Sequence, residues 1–119
     1  MATPLIIKTR EVSSIVVFDI EGEISRQDTP QVTLSSLVQD ELDRGRRNIL
    51  LDLSGVGFID SYGVGEILAS YKSIQNLGGR LKLCRISPKL LLIFKITGLD
   101  RVLDIREDCS RALESFSQA

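Results

Sequence analysis

The spacing of hydrophobic and polar positions changes period several times along the chain, and each change marks an element. Residues 5–10 and 14–20 are rich in β-branched and apolar side chains, with the polar-flanked Glu11-Val12-Ser13 between them. They predict an opening β-hairpin. Val16, Phe18, Ile20 and Ile24 recur at period two on one face of its second strand, with Asp19, Glu21 and Glu23 on the other. Asp28-Thr29-Pro30 predicts a helix start, a capping oxygen followed by proline in the first turn. Leu34, Leu37, Val38 and Leu42 continue at helical spacing, and Gly45 ends that helix.

Residues 48–53 form the short, nearly continuous apolar run of a strand covered on both faces. Ser54-Gly55-Val56-Gly57 predicts a turn, and Phe58-Ile59 an inward-pointing pair. A second helix opens at Asp60-Ser61, carries Val64, Ile67, Leu68, Tyr71 and Ile74 at helical spacing, and stops at Gly78-Gly79. Residues 81–86 are the next strand. Ser87 as N-cap and Pro88 at the first helical position start a third helix, which Gly98 ends. Residues 102–105 and 110–116 add a last strand and a last helix.

The order β-β-α-β-α-β-α-β-α predicts an α/β domain with a mixed, mostly parallel β-sheet. Right-handed crossovers join the parallel strands, and the N-terminal hairpin supplies one antiparallel edge strand. No repeat, low-complexity segment or linker interrupts the chain. Residues 1–119 are expected to form a single domain, a length that supports one hydrophobic core.

Composition narrows the chemistry. There are 15 Lys+Arg, 16 Asp+Glu and no His, for a net charge of -1. Ser-His-Asp and Cys-His catalysis and His-ligated metal sites are excluded. The charge balance gives no electrostatic reason to bind nucleic acid or an anionic membrane. Cys84 and Cys109 are too far apart for a CxxC motif and, without His, cannot complete a zinc site. They are expected to be free thiols in a reducing compartment, with Cys84 in the core. The N-terminus lacks the pattern of a signal peptide, and no apolar run approaches spanning length. The expectation is a soluble cytoplasmic protein with no cofactor, no metal, and neither nucleic acid nor membrane as partner.

Candidate chemistry is sparse. Gly55-Val56-Gly57 and Gly63-Val64-Gly65 do not complete a dinucleotide fingerprint, and no phosphate-loop Lys follows either. The first pair suits a turn. The second lets a helix start lie close to neighbouring backbone. Asp19, Glu21 and Glu23 suit a solvated strand face, and Arg44, Arg46 and Arg47 suit a helix C-terminus. The segment from Phe58 to Gly65 stands apart. Asp60 and Ser61 sit together between a buried strand and a helix, where one cap needs only one of them. A helix N-terminus tolerates an anion, so Ser61 can carry a phosphate of about -1.5 to -2 charges without unfolding the domain.

These landmarks, in order along nearly the whole chain, resemble the STAS-domain anti-sigma factor antagonist family. Gly22-Glu23-Ile24 resembles the segment after the family's second strand, and residues 49–53 its central strand with an Asp. Phe58-Ile59-Asp60-Ser61-Tyr62-Gly63-Val64-Gly65 resembles the Asp-Ser-x-Gly-Leu-Gly signature. Gly78-Gly79, and Ser87-Pro88 through Phe94 to Gly98-Leu99, match later landmarks. The resemblance implies a single STAS-like domain in a bacterial, non-enzymatic regulator of transcription. Unphosphorylated, it would bind an anti-sigma factor that is also a serine protein kinase, and so release a sigma factor. Phosphorylation of Ser61 would dissociate the pair, and a serine phosphatase, met transiently, would reset it. The alternative is a STAS scaffold subunit of a larger sensory or signalling assembly, in which Ser61 is only a cap. The sequence leaves monomer and weak homodimer both open.

Two positions depart from the family pattern. Ser25 stands where many relatives have Asp, and Tyr62 where a small residue is common. On the third helix, Leu90, Ile93, Phe94 and Thr97 form one face, while Leu91 and Leu92 are expected to point away, exposed. The expected partner surface therefore comprises Asp60, Ser61, Tyr62, Gly63, Ser25, Leu91 and Leu92.

Overall fold

The computed structural model describes residues 3–26 and 32–117. Its elements are β1 (Ile6–Val12), β2 (Ile15–Ile24), α1 (Leu34–Asp43), β3 (Asn48–Ile59), α2 (Ser61–Asn76), β4 (Arg80–Cys84), α3 (Pro88–Ile96), a 3-10 turn (Leu99–Arg101), β5 (Asp104–Arg106) and α4 (Cys109–Ser115). The strands lie in the order β1-β2-β3-β4-β5. The first pair is antiparallel and the rest parallel, as the alternating pattern predicts.

Local differences from the predicted elements have identifiable causes. Val12 pairs directly with Ile15, so Glu11 and Val12 belong to β1 rather than to a loop. The hairpin needs only Ser13 and Ser14, at φ 50 and 69, the two left-handed positions of a tight primed turn. Residues 54–57 do not turn; β3 runs through them. Between Asp19 and Glu21, and again between Gly22 and Glu23, β3 advances one residue more than β2. Those bulges break the period-two pattern and imitate a turn signal. The first bulge shifts the alternation by one residue, so Val56 joins Leu51 and Leu53 in the core, and the second shifts it back, so Ile59 is buried and Phe58 points outward at 41% exposure. A Cβ on Gly55 would lie 2.6 Å from Cβ of Glu21, which explains glycine at the first bulge. The last strand is shifted to Asp104–Arg106, because residues 99–101 wind into the 3-10 turn and leave Val102 exposed.

Helix α1 begins at Thr33, whose hydroxyl accepts from the Ser36 amide in a capping box. The predicted start at Asp28-Thr29-Pro30 lies outside the described residues. At the far end Gly45 takes φ 89, and Arg47 donates to the Leu42 carbonyl at 3.0 Å, a cation satisfying a helix C-terminus.

The two sheet faces are covered unequally. Val16, Phe18, Ile20, Ile49, Leu51, Leu53, Leu81 and Leu83 form a core with Leu34, Val38 and Leu42 of α1, Ile67 and Ile74 of α2, and Leu90 and Phe94 of α3. The opposite face packs Ile15, Val17, Leu50 and Cys84 against Ala112 and Phe116. Helix α4, seven residues long, covers that face. The Lys82 ammonium, almost wholly buried, ties it down by donating to Asp104 Oδ2 at 3.0 Å and to the Ser115 carbonyl at 3.3 Å.

The expectation of free thiols is overturned here. Cys84, fully buried at the end of β4, and Cys109, the first residue of α4, form a disulfide with Cα atoms 5.4 Å apart. Their separation of 25 residues hides the contact, which exists only because α4 folds back across β4. The reducing compartment inferred from free thiols loses that support.

A cross-link closing a loop of this size contributes about 3 kcal/mol in the chain-entropy picture. Cys109→Ser should therefore lower unfolding stability by about that amount, measured by denaturant titration under oxidising conditions. Equal stability of variant and parent would show that the bond does not hold α4.

Candidate functional site

The carboxyl ends of β2 and β3 meet where Ile24 pairs with Ile59. The next residues of each strand build the site. Asp60 is the N-cap of α2, with extended backbone, and its Oδ1 accepts from the Gly63 amide at 3.0 Å. Its Oδ2 accepts from the Arg26 amide at 3.0 Å, so one carboxylate joins the segment after β2 to the start of α2. These amide donors, Arg26 first, hold the Asp60 carboxyl below its ordinary range, against the opposing effect of burial.

Because Asp60 supplies the cap, Ser61 does not. Ser61 is exposed at the first helical position, and its hydroxyl makes no hydrogen bond among the described residues. Tyr62 follows, half-buried, and burial first and the nearby Glu66 carboxylate second push its phenol above its usual pKa. The Arg26 guanidinium lies over the Tyr62 ring, 5.7 Å from the centroid. Glu66, one turn further along α2, accepts from the amide and hydroxyl of Ser35 and so joins α2 to the start of α1.

The glycines of the signature differ in kind. A Cβ on Gly63 would lie 2.0 Å from the Ile24 carbonyl oxygen and 2.5 Å from Cγ1 of Ile59. This close approach lets α2 start directly on the end of β2. A Cβ on Gly65 meets nothing within 4 Å, so the expected close approach does not extend to it.

The other predicted surface residues divide by exposure. Ser25 is 1% exposed and its hydroxyl is unpartnered; Gly63 is also buried. Both shape the site from beneath rather than face a partner. Leu92 is exposed as expected, at 57%, beside Ile96 at 76%. Leu91 is not free: it is half-buried in a groove with Leu103 and Ile105, because the residues after the 3-10 turn fold back against α3. Helix α3 follows β4 as α2 follows β3, so both helices begin at the same end of the parallel strands.

Arg26 and Glu66 are the site residues that sequence reasoning missed. Arg26 directly follows the Gly-Glu-Ile-Ser segment, and Glu66 lies four residues after Tyr62, but neither spacing shows a partner across the fold. Elsewhere, Asp52, Cys84 and Cys109 bring a carboxylate and two sulfurs within 4.8 Å of one another. The sulfurs are bonded to each other and Arg85 holds the Asp52 carboxylate at 2.7 Å, so this donor set is already engaged.

The parallel sheet and its hairpin edge thus present an exposed serine beside a capping aspartate at the start of α2. The STAS domain profile matches residues 7–112, and the chain belongs to the STAS family, among the anti-sigma factor antagonists. It is 34% identical over 87 residues to the anti-sigma-B factor antagonist of Bacillus subtilis, covering 73% of this chain and 77% of that one. The solved structure of an anti-sigma-factor antagonist (STAS) domain protein from Planctomyces limnophilus has a TM-score of 0.80 at 19% identity, covering 94% and 98% of the two chains. The phosphorylated form of the Bacillus cell fate determinant SpoIIAA has a TM-score of 0.70 at 21% identity, covering 93% and 99%.

The glycine geometry gives a paired expectation. Gly63→Ala should destabilise the domain by several kcal/mol, because the new methyl meets backbone that cannot yield. Gly65→Ala should be neutral or stabilising by about 0.5–1 kcal/mol, the ordinary helical preference for alanine. Thermal melts of the two variants check this. Similar losses in both would contradict the packing described.

Proposed function

We propose that this chain is an anti-sigma factor antagonist switched by phosphorylation of Ser61. Unphosphorylated, it binds an anti-sigma factor that is also a serine kinase, and a sigma factor is released for transcription. Phosphorylation ends the binding and a serine phosphatase restores it. The chain itself is a binding protein rather than an enzyme, and its place is the bacterial cytoplasm. Among the described residues no helix is long and apolar enough to cross a membrane. A disulfide is uncommon in that compartment, so the redox state of Cys84 and Cys109 belongs in any binding measurement.

The observation that carries the reading is the division of labour between Asp60 and Ser61. Asp60 caps α2, and the neighbouring hydroxyl is exposed and unengaged among the described residues. A phosphate there adds about -1.5 to -2 charges to a chain of net charge -1. Against a partner fitted to a neutral hydroxyl, that charge adds repulsion and desolvation cost without removing a cap. The neighbour SpoIIAA, known in phosphorylated form, supports the idea that this fold accommodates the modification.

Asp60, Ser61 and Tyr62 form the modified part of the partner surface. Leu92 extends it from α3, with Leu91 supporting that helix from its groove. Ser25 and Gly63 set the height of the α2 start from below.

Ser61→Ala should bind the anti-sigma factor about as well as the parent, and Ser61→Asp should bind at least about tenfold more weakly, a loss near 1.4 kcal/mol. Leu92→Glu should also weaken binding while its unfolding stability stays within about 0.5 kcal/mol, as for an exposed position. Isothermal titration with the purified partner reads all three. Equal binding by the parent and both Ser61 variants would reject the switch, and in that case a large assembly by light scattering would support the scaffold role.

A further inference from the structure

We propose that the Cys84–Cys109 disulfide is a reducible latch: an external dithiol opens it, and its opening frees the N-terminal end of α4 from the rear face of the sheet while the Ser61 end of the domain stays folded. The proposal is independent of the reading of Ser61. Helix α4 is poorly equipped to hold itself in place. It has seven residues, fewer than an isolated helix needs in water. Its Asp108 cap and the Asp108–Arg111 ion pair at 3.6 Å stabilise the helix from within and do not dock it on the sheet. The helix and its C-cap bury Ala112 and Phe116, with Cys109 and Leu113 half-buried. Its polar ties sit at the C-terminal end. There Lys82 donates to the Ser115 carbonyl at 3.3 Å, Arg80 donates to the Phe116 carbonyl, and the two cations lie 5.1 and 5.5 Å from the centre of the Phe116 ring. At the N-terminal end the fastening is the bond from Cys109 to Cys84.

The two faces of the sheet are packed separately. Ile15, Val17, Leu50 and Cys84 form one apolar cluster with α4, and the buried side chains of α1, α2 and α3 belong to the other. Release of α4 therefore uncovers Ile15, Val17 and Leu50 without unpacking the helices that carry Ser61 and Leu92. The exchange chemistry has a defined direction. Cys84 is fully buried and Cys109 is half-buried, so an incoming thiolate reaches the bond at Cys109 Sγ. A new bond forms between that thiolate and Cys109 Sγ, the Cys84–Cys109 bond breaks, and Cys84 leaves as a thiolate that takes up a proton. The second thiolate of the dithiol then displaces Cys109, which also takes up a proton. The dithiol is oxidised to its own disulfide, and its two electrons reduce the cysteine pair. The Asp52 carboxylate lies within 4.8 Å of both sulfurs, and Arg85, 2.7 Å from that carboxylate, offsets its charge as the Cys84 thiolate departs.

Dithiothreitol is the probe that tests this. The oxidised full chain is treated with it in the absence of denaturant, and thiol titration should then find both cysteines reduced. Amide hydrogen exchange, followed by NMR, compares the oxidised chain, the reduced chain and Cys109→Ser, which cannot close the bond. Amides of residues 112–115 should exchange at least about tenfold faster in the reduced chain and in Cys109→Ser than in the oxidised chain, at a rate that low urea leaves unchanged, as a local opening requires. In the reduced chain the α2 amides should remain at least about tenfold slower than those of α4. Reoxidation should restore the original rates. Thiols that appear only in denaturant, or α4 rates that reduction leaves unchanged, would overturn the proposal. Acceleration of α4 and α2 by one common, urea-dependent factor would also overturn it and make the bond a staple of the whole fold.

Discussion

One carboxylate holds the functional end of this domain together. Asp60 accepts an amide hydrogen from Gly63 in the first turn of α2 and another from Arg26 beyond the end of β2. Both bonds favour the ionised acid. They are possible only because α2 starts so close to β2 that a methyl group at residue 63 would overlap the Ile24 carbonyl. The rest of the site follows from this constraint. The cap is supplied by residue 60, so residue 61 is released from structural duty, and residue 62 is presented to Arg26. A phosphate at residue 61 would then change the charge of the surface without removing a bond on which the helix depends.

The wider fold keeps that end fixed. Parallel strands β3 and β4 carry their connections to α2 and α3 at one end of the sheet, and Ile59, Ile24, Leu90 and Phe94 are buried beneath it. Glu66 links α2 to α1 through Ser35, so the helices on this face are joined by polar contacts as well as packing. The opposite face is held differently. There, Asp52 is 2% exposed and held by Arg85, which adopts φ 57 just after β4, and the disulfide fastens α4 alongside. Support from below and a lightly covered rear face together suit the proposed switch, in which the surface around Ser61 keeps its shape while its charge changes.

Much of this was readable in the sequence because the signals were local. Ser87-Pro88 and Asp60 announced their helices through capping chemistry, and period-two alternation announced β2. The resemblance to the family motif singled out Ser61 as the proposed acceptor through order and spacing. What could not be read were contacts that depend on two distant segments meeting. The bulges in β3 looked like a turn, since an inserted residue breaks alternation just as a turn does. Leu91 looked exposed because helical spacing knows nothing of Leu103 folding back against it. The pairing of Cys84 with Cys109 and the position of Arg26 over Tyr62 likewise belong to tertiary structure alone.

The central claim is that modification of Ser61 changes charge and not fold. Amide NMR spectra of the parent and of the protein carrying phosphoserine at residue 61 test it most directly. Shift changes confined to the segment after β2 and the first turns of α2, with α2 amides still protected from exchange, are predicted. Shifts spread through the sheet, or loss of protection along α2, would contradict the account.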